Sequence, residues 1–159
     1  MTDIFVKDVM VKEVVSVQPD TPLLKAAQII MEHNFDGVPV VDKENKLVGI
    51  LTEYNLIEKS SSIHLPTFQK ILENLKVLKQ DSAEFQKEVK EVSALKVKDV
   101  MNNDPLTLAP EASFEEMIKT FREHHRVNPI PVIDKDKKVI GVVSRFDVLK
   151  PLQLLNKKL

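Results

Sequence analysis

Cysteine and tryptophan are absent from this chain, and only three of its 159 residues are glycine. The lack of cysteine excludes disulfides and thiolate metal sites. Three glycines are too few for a phosphate-cradling glycine-rich loop. One tyrosine and seven phenylalanines, with no tryptophan, argue against an aromatic platform for single-stranded nucleic acid. Basic and acidic residues number 23 and 24, a formal net charge of −1, so no field of one sign draws nucleic acid or anionic lipid. No apolar run approaches membrane-spanning length, and the first residues carry no secretory hydrophobic region. A cytoplasmic protein with no nucleic-acid and no membrane partner is expected.

The chain does have an internal repeat. Val6-Lys7-Asp8-Val9-Met10 returns as Val97-Lys98-Asp99-Val100-Met101. Gly37-Val38-Pro39-Val40-Val41-Asp42 returns as Pro129-Ile130-Pro131-Val132-Ile133-Asp134. Gly49-Ile50-Leu51-Thr52-Glu53-Tyr54-Asn55 returns as Gly141-Val142-Val143-Ser144-Arg145-Phe146-Asp147. The offset is 91 at Met10/Met101 (101 − 10) and 92 at Gly49/Gly141 (141 − 49), which puts one extra residue into the second copy, within His124-His125-Arg126-Val127. Repetition in such register is two copies of one supersecondary unit. A copy of about 55 residues buries only a marginal core alone. The copies are therefore expected to fold together as one module over 1–159: a first repeat at 4–58, a helical insertion at 59–94, a second repeat at 95–150 and a tail at 151–159.

Local patterns predict the same element order in each copy. The β-branched stretch 14–17 reads as a strand. Asp20-Thr21-Pro22 reads as a helix start, with Leu23, Ala26, Ala27, Ile30 and Met31 on one apolar face. Residues 38–42 and 47–52 form a strand hairpin around the polar turn 43–46, and a helix begins at 54. The second copy repeats this with a strand at 106–108 and a helix entered through the capping-box pair Ser113 and Glu116. The order is β-α-β-β-α. Between the copies, apolar spacing predicts amphipathic helices over 66–79 and 82–92. Their stripes read as packed on the core or on a twin subunit, or as a docking surface for another protein. Asp8 and Asp99 read as turn caps.

The last motif carries the chemistry. Its glycine permits close backbone approach. The hydroxyl of Thr52 or Ser144 ends a strand, where it can donate to an anionic oxygen. The residues behind it enter a helix whose free N–H groups favour phosphate. Three residues on, a carboxylate such as Asp147 can accept from two vicinal hydroxyls, each bond worth roughly 1.5–3 kcal/mol. Ribose with its phosphate fits that set. The same residues also read simply as strand ends and helix caps. His124 and His125, being adjacent, do not share a helical face and make a poor metal pair. No nucleophile–base–orienter grouping can be read, so no catalytic role is expected.

In these motifs the chain resembles a tandem pair of CBS domains, a Bateman module, over both repeats. The resemblance implies an α/β fold of two β-α-β-β-α repeats packed about a pseudo-two-fold axis. It implies a regulatory, non-enzymatic module with no required cofactor and an adenosine-containing ligand: AMP, ADP, ATP or S-adenosylmethionine. Carried across, a primary cleft would use Ser144, Arg145 and Asp147 with Met10, Val14, Val15, Phe35 and Asp36. A second cleft would use Thr52 and Asn55 with Met101, Leu106, Val127 and Asn128. Arg126, just before the strand that edges this cleft, reads as a phosphate contact or as part of a solvated turn. The family's ribose acceptor is usually Asp, so Asn55 ranks the second cleft as the weaker. Asp36 would disfavour a highly charged phosphate chain in the first. A homodimer is expected, with signalling by change of shape or association, and a regulated protein as a further partner. The alternative is a ligand-independent interaction and dimerisation module working through the inter-repeat helices.

Overall fold

Short apolar runs bounded by polar turns form two hairpins that organise the molecule. In the computed structural model, which describes residues 3–59 and 83–152, β1 (Gly37–Val41) pairs antiparallel with β2 (Leu47–Thr52). In the same way β3 (Ile130–Ile133) pairs with β4 (Val139–Val143). One carboxylate holds each turn. Asp42 Oδ1 accepts from the N–H groups of Glu44 (2.9 Å) and Lys46 (2.8 Å). Asp134 Oδ1 accepts from those of Asp136 and Lys138, both at 2.9 Å. The turns then meet across the pseudo-axis: Leu47 N–H donates to the Lys137 carbonyl (2.9 Å) and Val139 N–H to that of Asn45 (3.2 Å).

Among the described residues five α-helices accompany the hairpins: α1 (Val6–Val9), α2 (Leu23–Glu32), α3 (Glu53–Lys59), α4 (Ala83–Ala94) and α5 (Phe114–Glu123). Val97–Asp99 and Arg145–Leu149 are 3-10 turns. Ser113 caps α5 by accepting from Glu116 N–H (3.1 Å). The expected cap on α2 does not form. Pro22 stands at its N-cap without a side-chain bond, while Thr21 Oγ1 accepts from Gln18 N–H (3.1 Å). Asp8 and Asp99 do cap turns, accepting from the N–H groups of Phe5 (2.9 Å) and Lys96 (2.8 Å). The extra residue of the second copy lies between helix and strand. The helix ends Glu32 and Glu123 differ by 91 (123 − 32), and the strand residues Val38 and Ile130 by 92 (130 − 38).

The strands expected at 14–17 and 106–108 are each reduced to one parallel bridge, Val17 to Val40 and Leu108 to Val132. Proline is the cause. Val17 N–H donates to the Pro39 carbonyl and Val41 N–H to the Val17 carbonyl. The next donor on that edge would be residue 39, which has no N–H, so the ladder stops. Pro131 does the same beside Leu108.

Two cores result, and each borrows from the other repeat. The first gathers Leu23, Ile30, Val40 and Leu51 around Val97 and Val100, which precede the second repeat's hairpin. The second gathers Met117, Phe121, Ile130 and Val143 around Val6 and Val9, from the start of the chain. The docking bonds correspond. Val6 N–H donates to the Ala112 carbonyl and Lys7 N–H to that of Pro110; Val97 N–H donates to the Thr21 carbonyl and Lys98 N–H to that of Pro19. Lys96 and Lys98 also grip Asp20 (3.1 and 2.9 Å) and pull its pKa down to about 2. Val92 of α4, on the apolar stripe expected there, is buried in the first core. The helix expected at 66–79 lies outside the described residues.

Candidate functional site

Because the leading segments are exchanged, each lies against the far hairpin. Val11 bridges Val142 of β4, and Asn102 bridges Ile50 of β2. A seam with two crevices runs between the repeats. One has a volume of about 250 Å³ and is lined by Ser144, Asp147, Val15, Phe35 and Asp36. Arg145, Met10 and Val14 of the expected primary cleft do not line it. Arg145 donates to the carbonyls of Phe121 (3.0 Å) and His124 (2.9 Å), closing the C-terminal end of α5, and stacks over the Phe121 ring. Met10 sulfur sits against Gly141. The other crevice, about 390 Å³, is lined by all seven expected residues: Thr52, Asn55, Met101, Leu106, Arg126, Val127 and Asn128. Only this one falls within the usual small-ligand range of about 300–1,000 Å³, so size runs against the expected ranking.

The motif residues are engaged with one another. Ser144 donates to Asp147 Oδ2 through its N–H (2.6 Å) and its hydroxyl (3.0 Å), and Lys150 Nζ pairs with Asp147 Oδ1 (2.8 Å). Asp147 is 4% exposed, so the carboxylate is buried and paired rather than turned to bulk water. Thr52 repeats the first device, donating to Asn55 Oδ1 through its N–H (3.0 Å) and its hydroxyl (2.8 Å). The helix-start N–H groups expected to receive a phosphate are partly occupied. Glu53 N–H donates to the Asp36 carbonyl (3.0 Å) and Arg145 N–H to Asn128 Oδ1 (3.0 Å).

Asp36 and Asn128 occupy equivalent positions (36 + 92 = 128) and meet across the axis, Asn128 Nδ2 donating to Asp36 Oδ2. Arg126 donates to the Tyr54 hydroxyl (2.8 Å) and lies over its ring. Burial first, and then the charge of Asp36, raises the Glu53 carboxyl above its ordinary value. An acid with a raised folded pKa is penalised when ionised, so the penalty is complete above the folded pKa and absent below the unfolded one. Glu53→Gln is accordingly expected to raise Tm slightly at pH 7, with the gain vanishing as pH falls to about 4. Thermal melts of both proteins across that range check this, and a gain that persists at low pH would contradict it.

Tyr54 and Phe146, at one motif position (54 + 92 = 146), line the two crevices, one aromatic each. The sequence reading missed them, although the repeat alignment already placed them in register beside the hydroxyl and the acceptor.

This seam, built twice from one motif, coincides with a family match. The sequence matches the CBS domain over residues 6–62 and again over 97–153. The chain belongs to the CBS domain family. Protein MJ1426 of Methanocaldococcus jannaschii is 26% identical over 153 residues, spanning 92% of this chain and 90% of its own length. An inosine-5′-monophosphate dehydrogenase of the same organism is 27% identical over 143 residues, but the chain spans only 22% of that enzyme. Among solved structures, CBSX2 of Arabidopsis thaliana in complex with AMP superposes with a TM-score of 0.70 at 23% identity, over 96% of this chain and 98% of that one. The CBS domain pair of protein MJ0100, in complex with 5′-methylthioadenosine and S-adenosyl-L-methionine, gives 0.68 at 18% identity, over 94% and 99%. The fold is that of a CBS pair. No helix among the described residues is long and apolar enough to cross a membrane.

Proposed function

We propose that this CBS pair is a regulatory module that binds an adenosine-containing ligand in its seam, of the AMP, ADP, ATP or S-adenosylmethionine class. One observation carries the reading: each crevice joins the hydroxyl-acceptor motif of one repeat to the segment before the proline-containing strand of the other. A molecule lying there touches both halves. It stabilises their closed arrangement to the degree that it binds that arrangement better than an open one. The complexes of CBSX2 with AMP and of MJ0100 with adenosyl compounds support the ligand class.

Association is the proposed output. Ile57 and Leu149, at equivalent positions (57 + 92 = 149), are 61% and 50% exposed, and Phe146 and Leu152 are exposed as well. Large apolar residues left at the surface of both repeats suit a homodimer face.

Isothermal titration of the full chain with AMP, ATP and S-adenosylmethionine is expected to show binding. Asp147→Asn, which keeps one acceptor oxygen, is expected to weaken its own crevice by roughly five- to thirtyfold. No heat from any of the three at millimolar concentration would end the ligand reading. Sedimentation velocity on the same samples reads association, and a monomer with and without ligand would remove the dimer.

A further inference from the structure

Asp36 and Asn128 bind each other across the pseudo-axis, and each lines a different crevice: Asp36 the smaller, Asn128 the larger. The bond between them therefore has one end in each. Pro129, next to Asn128, lines both, so the crevices share a wall at this point. Main-chain groups extend the link in both directions. Asn128 Oδ1 accepts from the N–H of Arg145 (3.0 Å), which follows Ser144 in the motif of the smaller crevice. The Asp36 carbonyl accepts from the N–H of Glu53 (3.0 Å), which follows Thr52 in the motif of the larger one. One chain of hydrogen bonds thus runs from Glu53 through Asp36 and Asn128 to Arg145, and it joins the two motif starts.

We propose that this chain couples the crevices, so that a ligand in one raises the affinity of the other. The inference rests on the function proposed above and adds its regulation. A ligand donor that reaches the Asp36 carboxylate competes with Asn128 for it. A ligand acceptor that reaches Asn128 Nδ2 competes with Asp36 in the same way. Either event releases both side chains, because one bond serves both. The bond joins an amide to a charged acceptor, so its loss is felt. The first ligand bears that cost. The second finds its own partner already released and bears none. A cost borne once between two sites is a coupling free energy, and it acts equally in both directions. The outer bonds work alike: a ligand oxygen that takes Arg145 N–H in the smaller crevice frees Asn128 Oδ1, on a residue that lines the larger.

The test titrates the full chain with AMP and with S-adenosylmethionine, singly and together, by calorimetry and by ¹H–¹⁵N spectra. The amide shifts of Thr52 and Ser144 report the larger and the smaller crevice separately. The quantity read is the ratio of each crevice's affinity with the other filled to that with the other empty. Wild type is expected to give a ratio of about five, the worth of one hydrogen bond. Asp36→Ala, at an exposed position outside both cores, is expected to bring the ratio to about one. Asn128→Ala, which removes both side-chain bonds, is expected to do the same. A role confined to holding the fold would lower Tm in these variants and leave the ratio at its wild-type value. Independent filling in wild type, a ratio kept in either variant, or only one crevice filled by both ligands together overturns this inference and leaves the broader reading standing. Binding of neither ligand ends the broader reading and this inference with it.

Discussion

Removing residues 1–11 is expected to unfold the hairpin at the opposite end of the sequence. Val6 and Val9 are 0% and 4% exposed within the core built on β3, β4 and α5. Full burial of a valine is worth about 1.5–3 kcal/mol. The pair therefore contributes roughly 3–6 kcal/mol, a large part of the 5–15 kcal/mol that holds an ordinary domain. The cut also breaks main-chain bonds from Val6 and Lys7 to the Ala112 and Pro110 carbonyls, from Phe114 N–H to the Ile4 carbonyl, and the bridge from Val11 to β4. At about 2–4 °C per kcal/mol for a protein of this size, Tm should fall by roughly 10 °C or more. Hydrogen exchange locates the damage. Amides of Ile130–Ile133 and Val139–Val143 should lose protection before those of Gly37–Val41 and Leu47–Thr52. Equal loss in both hairpins would contradict the exchange of segments.

Gly49→Ala is expected to cost about 1–3 kcal/mol, and Gly141→Ala distinctly less. The glycines hold equivalent places just past a bulge in β2 and β4. A Cβ on Gly49 would stand 2.8 Å from the carbonyl oxygen of Asn102, a main-chain atom that accepts from Ile50 N–H while Asn102 N–H donates back to the Ile50 carbonyl. On Gly141 the nearest atom is the sulfur of Met10, at the end of a side chain that can turn aside, and the Val11 oxygen lies at 3.2 Å. Methionine yields where backbone cannot. Denaturant titration of the two variants measures the difference; equal losses, or a larger loss at 141, would refute this account. Because Asn102 and Met101 line the larger crevice, Gly49→Ala should also weaken ligand binding there.

The repeat made much of this legible. Hairpin partners, the cap at Ser113 and the site of the extra residue follow from pattern alone, because each depends on neighbours a few positions away. The membership of the larger crevice was legible as well, through the family resemblance. Three things were not. The strands at 14–17 and 106–108 fail because of a proline on a different segment, a tertiary cause hidden from local propensity. The pairing of Asp147 with Lys150, and the direction of Arg145 toward α5, depend on where long side chains find partners. The exchange of leading segments is invisible because Val-Lys-Asp-Val-Met precedes both copies, and apolar spacing does not say which core a short segment joins.

That exchange also orders events during synthesis. The first hairpin is complete at Thr52, yet Val97 and Val100, which close its core, are made up to 48 residues later (100 − 52). At about 5–20 residues per second the ribosome needs roughly 2–10 s to deliver them. Through that interval the nascent chain holds an open apolar socket and, at its other end, the pair Val6 and Val9 with nothing yet to enter. A polypeptide wired in this way cannot close its first core until the second copy has begun, and Val6 and Val9 wait longer still, for the last hairpin.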